Sequence, residues 1–143
     1  MKIYECYFDG ACEPQNPGGE IGAGIYVTDG EKEYATYNHL PAKEENTNNM
    51  AEYLAFIMIL DLMSNKEKCE IKIYGDSMLV VNQMDGKWQI KNGAYTSFAV
   101  QAKNKLEKLK LNNVVSIEWI PREKNVKADY QSMKAIGFKR RKY

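Results

Sequence analysis

The strongest constraint on this chain is the order of its periodic segments. Three strand-like runs joined by tight turns come first, and helical and strand patterns then alternate to the end. Residues 2–9, rich in aromatic and β-branched side chains, predict a strand stopped by Gly10. Residues 21–28 and 31–40 predict two more, joined through Asp29-Gly30, a favoured hairpin turn. Thr47 or Asn48 can cap a helix that runs through Ala51 to about Met63. A short strand follows at 70–75, and Asp76-Ser77 opens a short helix that ends near Gly86. A charged amphipathic helix is expected over 95–109, with Phe98, Ala102, Leu106 and Leu109 as its stripe. Residues 114–120 form the last strand, Pro121 ends it, and Asn125 can cap a final helix to Ile136.

This is an α/β order. The opening meander is expected to be antiparallel, and the two later strands, reached through helical crossovers, parallel to the first. A mixed five-stranded sheet with helices on both faces satisfies both conditions. In such sheets ligands sit outside the carboxyl ends of the parallel strands, where strand order reverses. At 143 residues, with no low-complexity segment, repeat or long linker, the chain reads as one domain over 1–143 with a basic tail from about 137.

With 44% hydrophobic and 27% charged residues, the composition excludes disorder, collagen-like repeats and a disulfide scaffold. No run approaches the ~20 apolar residues of a membrane helix. Residues 1–5 lack an apolar signal core, so no export and no membrane are expected. Cys6, Cys12 and Cys69 are odd in number and lack metal-ligand spacing, which fits free thiols in a reducing, cytoplasmic setting. Charge is polarised: residues 1–102 hold 8 Lys/Arg against 15 Asp/Glu, and residues 103–143 hold 12 against 4. Acids are thus concentrated in one part and cations offered to a polyanion in another. A solvated basic helix with a basic tail, Lys139-Arg140-Arg141-Lys142, is the plainer alternative.

Four acids stand apart from the solvated charge runs. Asp9 ends the first strand and Asp76 the fourth, which places both at the carboxyl edge of adjacent parallel strands. Glu52 shares a helical stripe with Phe56, Ile59 and Met63, and Asp129 shares one with Val126, Met133 and Ile136. An acid inside an apolar stripe is costly unless paired, protonated or bound to a cation. Taken singly, each has an ordinary alternative: a helix cap for Asp76, a partner for the helix dipole for Glu52, a turn cap for Asp9, a solvated rim for Asp129. Converging, they would repel strongly without compensating charge, and an all-oxygen site selects hard ions such as Mg²⁺ or Mn²⁺. His39, the one histidine, has no second soft ligand at suitable spacing.

These residues lie in segments that resemble the ribonuclease H type 1 family. The matches are Phe8-Asp9-Gly10-Ala11-Cys12 with Asn16-Pro17-Gly18-Gly19, Thr47-Asn48-Asn49-Met50-Ala51-Glu52, and Tyr74-Gly75-Asp76-Ser77. Val80-Val81-Asn82-Gln83 and Trp119-Ile120-Pro121-Arg122-Glu123-Lys124-Asn125, leading to Ala128-Asp129, complete the set in family order. The resemblance implies a 3-2-1-4-5 strand order and an endonuclease that cuts the RNA strand of RNA–DNA hybrids to 5′-phosphate and 3′-hydroxyl ends. It implies Asp9, Glu52, Asp76 and Asp129 as catalytic, metal-binding acids holding two Mg²⁺ or Mn²⁺ ions. Asp9 would bridge both ions, Asp129 complete the site that activates water, and Glu52 with Asp76 hold the other.

Recognition of RNA needs groups that sense a 2′-hydroxyl. By resemblance these are the backbone groups at Gly10, Ala11 and Cys12 and the amides of Asn48 and Asn49, with Gln83 as a further candidate; amides suit the task because they both donate and accept. Asn16 and Ser77 are expected among the other substrate-binding residues. Helix capping is the other role open to Asn48 and Asn49. Thr47 matches a phosphate-contacting position, and Trp88 with Lys87 and Lys91 resembles an aromatic and basic surface beside the DNA strand. Trp88 also suits a core or lid position. The chain departs from many members in lacking a histidine before the last Asp, as in an archaeal-like branch, which leaves water, Glu123 or Lys124 for the proton step. Residues 86–91 are also too short for an extra basic helix. The expected partner is an RNA–DNA hybrid, bound by a monomer. A non-catalytic nucleic-acid-binding module and another nuclease of the same superfold are the alternatives.

Overall fold

The computed structural model describes residues 1–138. Its strands are β1 (Lys2–Glu13), β2 (Glu20–Thr28), β3 (Glu33–Leu40), β4 (Cys69–Gly75) and β5 (Val114–Trp119). Its helices are α1 (Asn48–Met63), α2 (Met78–Met84), α3 (Thr96–Lys110) and α4 (Val126–Ala135), with a 3₁₀ turn at Arg122–Lys124. The strands form one sheet in the order β3-β2-β1-β4-β5. Pairing is antiparallel for β1–β2 and β2–β3 and parallel for β1–β4 and β4–β5, as the element order predicts. Among the described residues no helix is long and apolar enough to cross a membrane.

One face of the sheet carries Cys6, Phe8, Ile25, Ile71 and Ile73 into the main core against α1 and α3. Helix α1 is buried on nearly all sides, with Tyr53, Phe56, Ile59 and Leu60 fully enclosed, because the sheet covers one side of it and α3 another. Phe8 and Phe56 meet edge to face at 5.4 Å. Each such side chain contributes ~1.5–3 kcal/mol by leaving water. Helix α4 lies across β2, β1 and β3 on the opposite face.

Two strand boundaries and the burial of one residue differ from the sequence expectation. Gly10 does not stop β1, which continues to Glu13 by pairing with β2. A side chain at Gly10 would meet α1 backbone, its Cβ 2.2 Å from the Ala51 carbonyl carbon, so the glycine serves close approach and not termination. The connection of β2 to β3 is longer than a two-residue turn, since the Asp29 carboxylate accepts the N–H groups of Glu31 and Lys32 at 2.9 and 2.8 Å. Those residues belong to the turn, and β3 starts at Glu33. Val126, placed in the inward stripe of the last helix, is exposed; it begins α4, ahead of the turn that seats on the sheet. The basic run at residues 139–142 lies outside the described residues.

Candidate active site

The parallel ladder between β1 and β4 ends at the pair Phe8–Gly75. Asp9 comes next within β1 and Asp76 is the first residue past β4, so they emerge side by side where the strands part. Trp119 Nε1 donates to the Asp76 carbonyl at 3.2 Å and ties β5 to this edge. Glu52 arrives from α1, whose first turn begins at Thr47; the Thr47 hydroxyl accepts the Met50 N–H at 3.3 Å. The bare Cα of Gly10 lets that turn lie against the strand, with a Cβ there only 2.3 Å from the Glu52 nitrogen.

One carboxylate oxygen from each of Asp9, Glu52 and Asp76 lies within 4.8 Å of the other two. Asp9 and Glu52 are buried and Asp76 is half-buried. Asp129 lines the same cavity, of about 520 Å³, from α4. It sits at the rim, outside the close trio, with Arg122 Nη2 3.8 Å from its Oδ1. The structure therefore brings three of the four predicted acids into one cluster and sets the fourth beside it, near enough to Asp9 to add to the upward push on that carboxyl.

The electrostatics of the trio are unfavourable on their own. Burial first, then the charge of Asp76, pushes the Asp9 carboxyl well above the usual carboxylate range. Burial and the charges of Asp9 and Asp76 do the same to Glu52, and burial raises Asp76. Arg122 opposes the shifts at Glu52 and Asp76. Glu52 Oε1 is buried without a hydrogen-bond partner, an acceptor left for something positive. Hard oxygen donors, mutual repulsion and an orphaned buried acceptor fit a divalent cation of the Mg²⁺ or Mn²⁺ kind.

Of the expected substrate contacts, Gly10, Ala11, Asn16 and Asn48 line this cavity. Asn16 Oδ1 accepts the Asn48 N–H at 3.0 Å, joining the loop after β1 to the start of α1. Asn49 is exposed beside them. Cys12 is buried, its thiol directed at the Gln15 and Asn46 carbonyls, so only its backbone remains for a ligand. Ser77 caps α2, accepting the Val80 N–H at 3.2 Å. Trp88 and Lys91 are exposed on the segment after α2, which excludes the core position considered for Trp88.

Gln83 is a correction. It lies in the last turn of α2 facing α1, and its amide is spent internally. It accepts from the Tyr53 hydroxyl and donates to Gln89 O and Tyr95 Oη, each at 3.0 Å, so it holds the segment bearing Trp88 and does not face the cavity.

Sequence reasoning missed three polar residues around the site. Asn46 is buried and donates to Gly19 O and Pro41 O, both at 2.9 Å, fastening two loops beside the cavity. Asn125 stands at the start of α4, but its side chain does not cap the helix; its amide donates to Phe8 O at 2.8 Å, pinning α4 to β1 one residue before Asp9. Ser132 Oγ lies 2.7 Å from Asp9 Oδ2. The signals for the asparagines were present, since amides at element junctions often serve such roles, but no spacing identifies the partner. Ser132 carried no signal at all.

Fold and pocket together define a ribonuclease H-like α/β domain with a carboxylate pocket at the carboxyl edge of its parallel strands. A family model described as "Reverse transcriptase-like" matches residues 7–135. Ribonuclease H of Acetivibrio thermocellus is 36% identical over 127 residues, covering 84% of this chain and 81% of that protein. The Bifunctional protein Rv2228c of Mycobacterium tuberculosis is 32% identical over 114 residues, covering 80% of this chain but 30% of that longer protein. Its solved N-terminal RNase H domain superposes with a TM-score of 0.82 at 28% identity, covering 96% of this chain and 95% of that one. LC11-RNase H1, solved in complex with RNA/DNA hybrid, superposes with a TM-score of 0.76 at 29% identity, covering 94% and 96%. The chain belongs to the ribonuclease H type 1 family, and it is an enzyme of that family.

Proposed function

We propose that this chain is a metal-dependent endoribonuclease that hydrolyses the RNA strand of RNA–DNA hybrids, leaving 5′-phosphate and 3′-hydroxyl ends. The observation that carries the reading is the trio of carboxylates within 4.8 Å, two of them buried, at the mouth of a cavity shared with Asp129. Asp9, Glu52, Asp76 and Asp129 are the residues to hold Mg²⁺ or Mn²⁺, two ions in the active complex. Such ions supply stabilisation of the attacking and leaving oxygens at phosphorus and lower the pKa of a nucleophilic water.

The remaining work falls to the chain's own groups. Gly10, Ala11, Asn16 and Asn48 line the cavity that holds the acids; backbone groups at Gly10, Ala11 and Cys12 and the amides of Asn16, Asn48 and Asn49 are the groups to meet a 2′-hydroxyl, which both donates and accepts. The Arg122 guanidinium moderates the repulsion among the acids by opposing the upward shifts of Glu52 and Asp76. Glu123 and Lys124 are exposed on the 3₁₀ turn, so the proton passes to solvent, directly or through them. Thr47, Ser77, Trp88 and Lys91 extend the substrate surface, with Thr47 at the start of α1, a helix end that favours a phosphate. Buried cysteine thiols at positions 6, 12 and 69 suit a reducing cytoplasm. All four acids come from one chain, which supports a monomer acting as a single domain.

End-labelled RNA–DNA hybrid incubated with the protein and Mg²⁺ or Mn²⁺ tests the proposal. Cleaved RNA with intact DNA and 5′-phosphate products is expected. Hybrid that is bound but uncut with either metal would leave a binding module, and duplex DNA cut in place of hybrid would leave a different nuclease.

A further inference from the structure

Helix α4 approaches the sheet at two glycines of β2. A Cβ on Gly24 would lie 2.3 Å from the Ser132 nitrogen, and one on Gly22 would lie 2.3 Å from the Ser132 oxygen. Gly24 is the cross-strand partner of Asp9. The close approach therefore lowers Ser132 beside the strand that carries Asp9. Its fully buried hydroxyl lies 2.7 Å from Asp9 Oδ2 and 2.8 Å from Asp129 O.

The second contact is the ordinary back-bond of a helical serine to the carbonyl three residues earlier. The first is not local: it spans 123 residues of sequence and reaches a carboxylate in the cation pocket. One hydroxyl proton serves two acceptors, and when given to Asp9 it occupies one lone pair of Oδ2 and holds the carboxylate's orientation. The other Asp9 lone pairs stay available to the pocket.

We propose that Ser132 is a positioning residue for the cation pocket: through its hydrogen bond to Asp9 it sets how tightly the acids hold a divalent ion. The inference rests on the reading of the pocket given above. Groups that orient metal-binding carboxylates typically change metal affinity ~10–100-fold when removed. The hydroxyl does not touch substrate, so its loss moves the metal requirement much more than the rate once metal is saturating.

The test is a Mn²⁺ titration of the full-length protein without nucleic acid, read by water-proton relaxation, on wild type and Ser132→Ala, beside thermal melts without metal. The Mg²⁺ concentration for half-maximal hybrid cleavage is measured in parallel. Both midpoints are expected to rise by ~10–100-fold in the variant. A hydroxyl that only packs the helix would lower the melting temperature and leave both midpoints in place; that result overturns the proposal. If wild type itself takes up no Mn²⁺, the pocket reading falls and the Ser132 role with it. If wild type binds and the variant binds equally, the Ser132 role alone falls.

Discussion

Asp9 answers to opposing demands, and its environment shows both. It is enclosed between β2, β4 and α4, where a negative charge is disfavoured, yet Ser132 donates to it and so favours the charged form. Asp9→Asn or Asp76→Asn keeps the shape and removes the charge, so cleavage of hybrid should fall by more than ~100-fold, beyond the loss of an orienting group. Filter binding should show hybrid still retained; turnover near wild type in either variant would contradict the metal roles. The same acids set a pH dependence of stability without metal. The folded-state pKa values of Asp9, Glu52 and Asp76 are raised, so above the unfolded value of ~4 the unfolded chain releases protons first. Stability is full below that pH and declines as pH rises toward the folded values. Metal-free melting temperature should therefore drop between pH 4 and neutrality, and Mg²⁺ should recover part of the loss by binding only the folded state. Asp9→Asn, with one charge fewer to bury, should flatten the decline; an unchanged profile would mean that the trio is not under strain.

At the scale of elements, glycines decide how near the helices come to the sheet. Gly24→Ala would set a methyl group 2.3 Å from the Ser132 nitrogen and 2.5 Å from the Ala128 carbonyl oxygen, both backbone atoms that cannot rotate away. Helix α4 must then lift, at a cost of ~1–3 kcal/mol. The expected result is a lower urea midpoint with unchanged slope, and weaker cleavage because α4 carries Asp129. The antiparallel meander, the parallel later strands, the buried face of α1 and the adjacency of Asp9 and Asp76 where β1 and β4 part were legible in the sequence, because alternation, helical spacing and turn residues are local signals; the full strand order came only with the family resemblance. The extension of β1 past Gly10 was not, since it depends on what β2 offers across the ladder. The internal role of Gln83 and the reach of Asn125 to Phe8 O were hidden for the same reason: a polar side chain does not reveal its partner when that partner is distant in sequence. Val126 shows the converse, an apolar residue with the right spacing that begins its helix beyond the sheet's cover.

For the whole molecule the difficulty is that a polyanion must be brought to a cluster of acids. Residues 1–102 carry a net charge of −7 and hold three of the four acids, while residues 103–143 carry +8. Exposed lysines at 103, 108 and 110 on α3, with Lys87 and Lys91 on the segment bearing Trp88, offer cations away from the cavity. Attraction and chemistry are thus divided between different parts of the molecule, and the two should respond separately to mutation. Replacing Lys139, Arg140, Arg141 and Lys142 with serine removes four positive charges from the sequence and leaves all four acids in place. Hybrid affinity should weaken, and the slope of log K against log salt should flatten by ~0.7–0.9 for each phosphate that is no longer neutralised. The cleavage rate at saturating hybrid and Mg²⁺ should stay near wild type, because none of the acids is touched. Measuring binding by fluorescence anisotropy across a salt series separates the outcomes: an unchanged slope assigns the attraction to the lysines of α3 and the Trp88 segment, and a slower reaction at saturation would show that the basic run also acts on the chemistry.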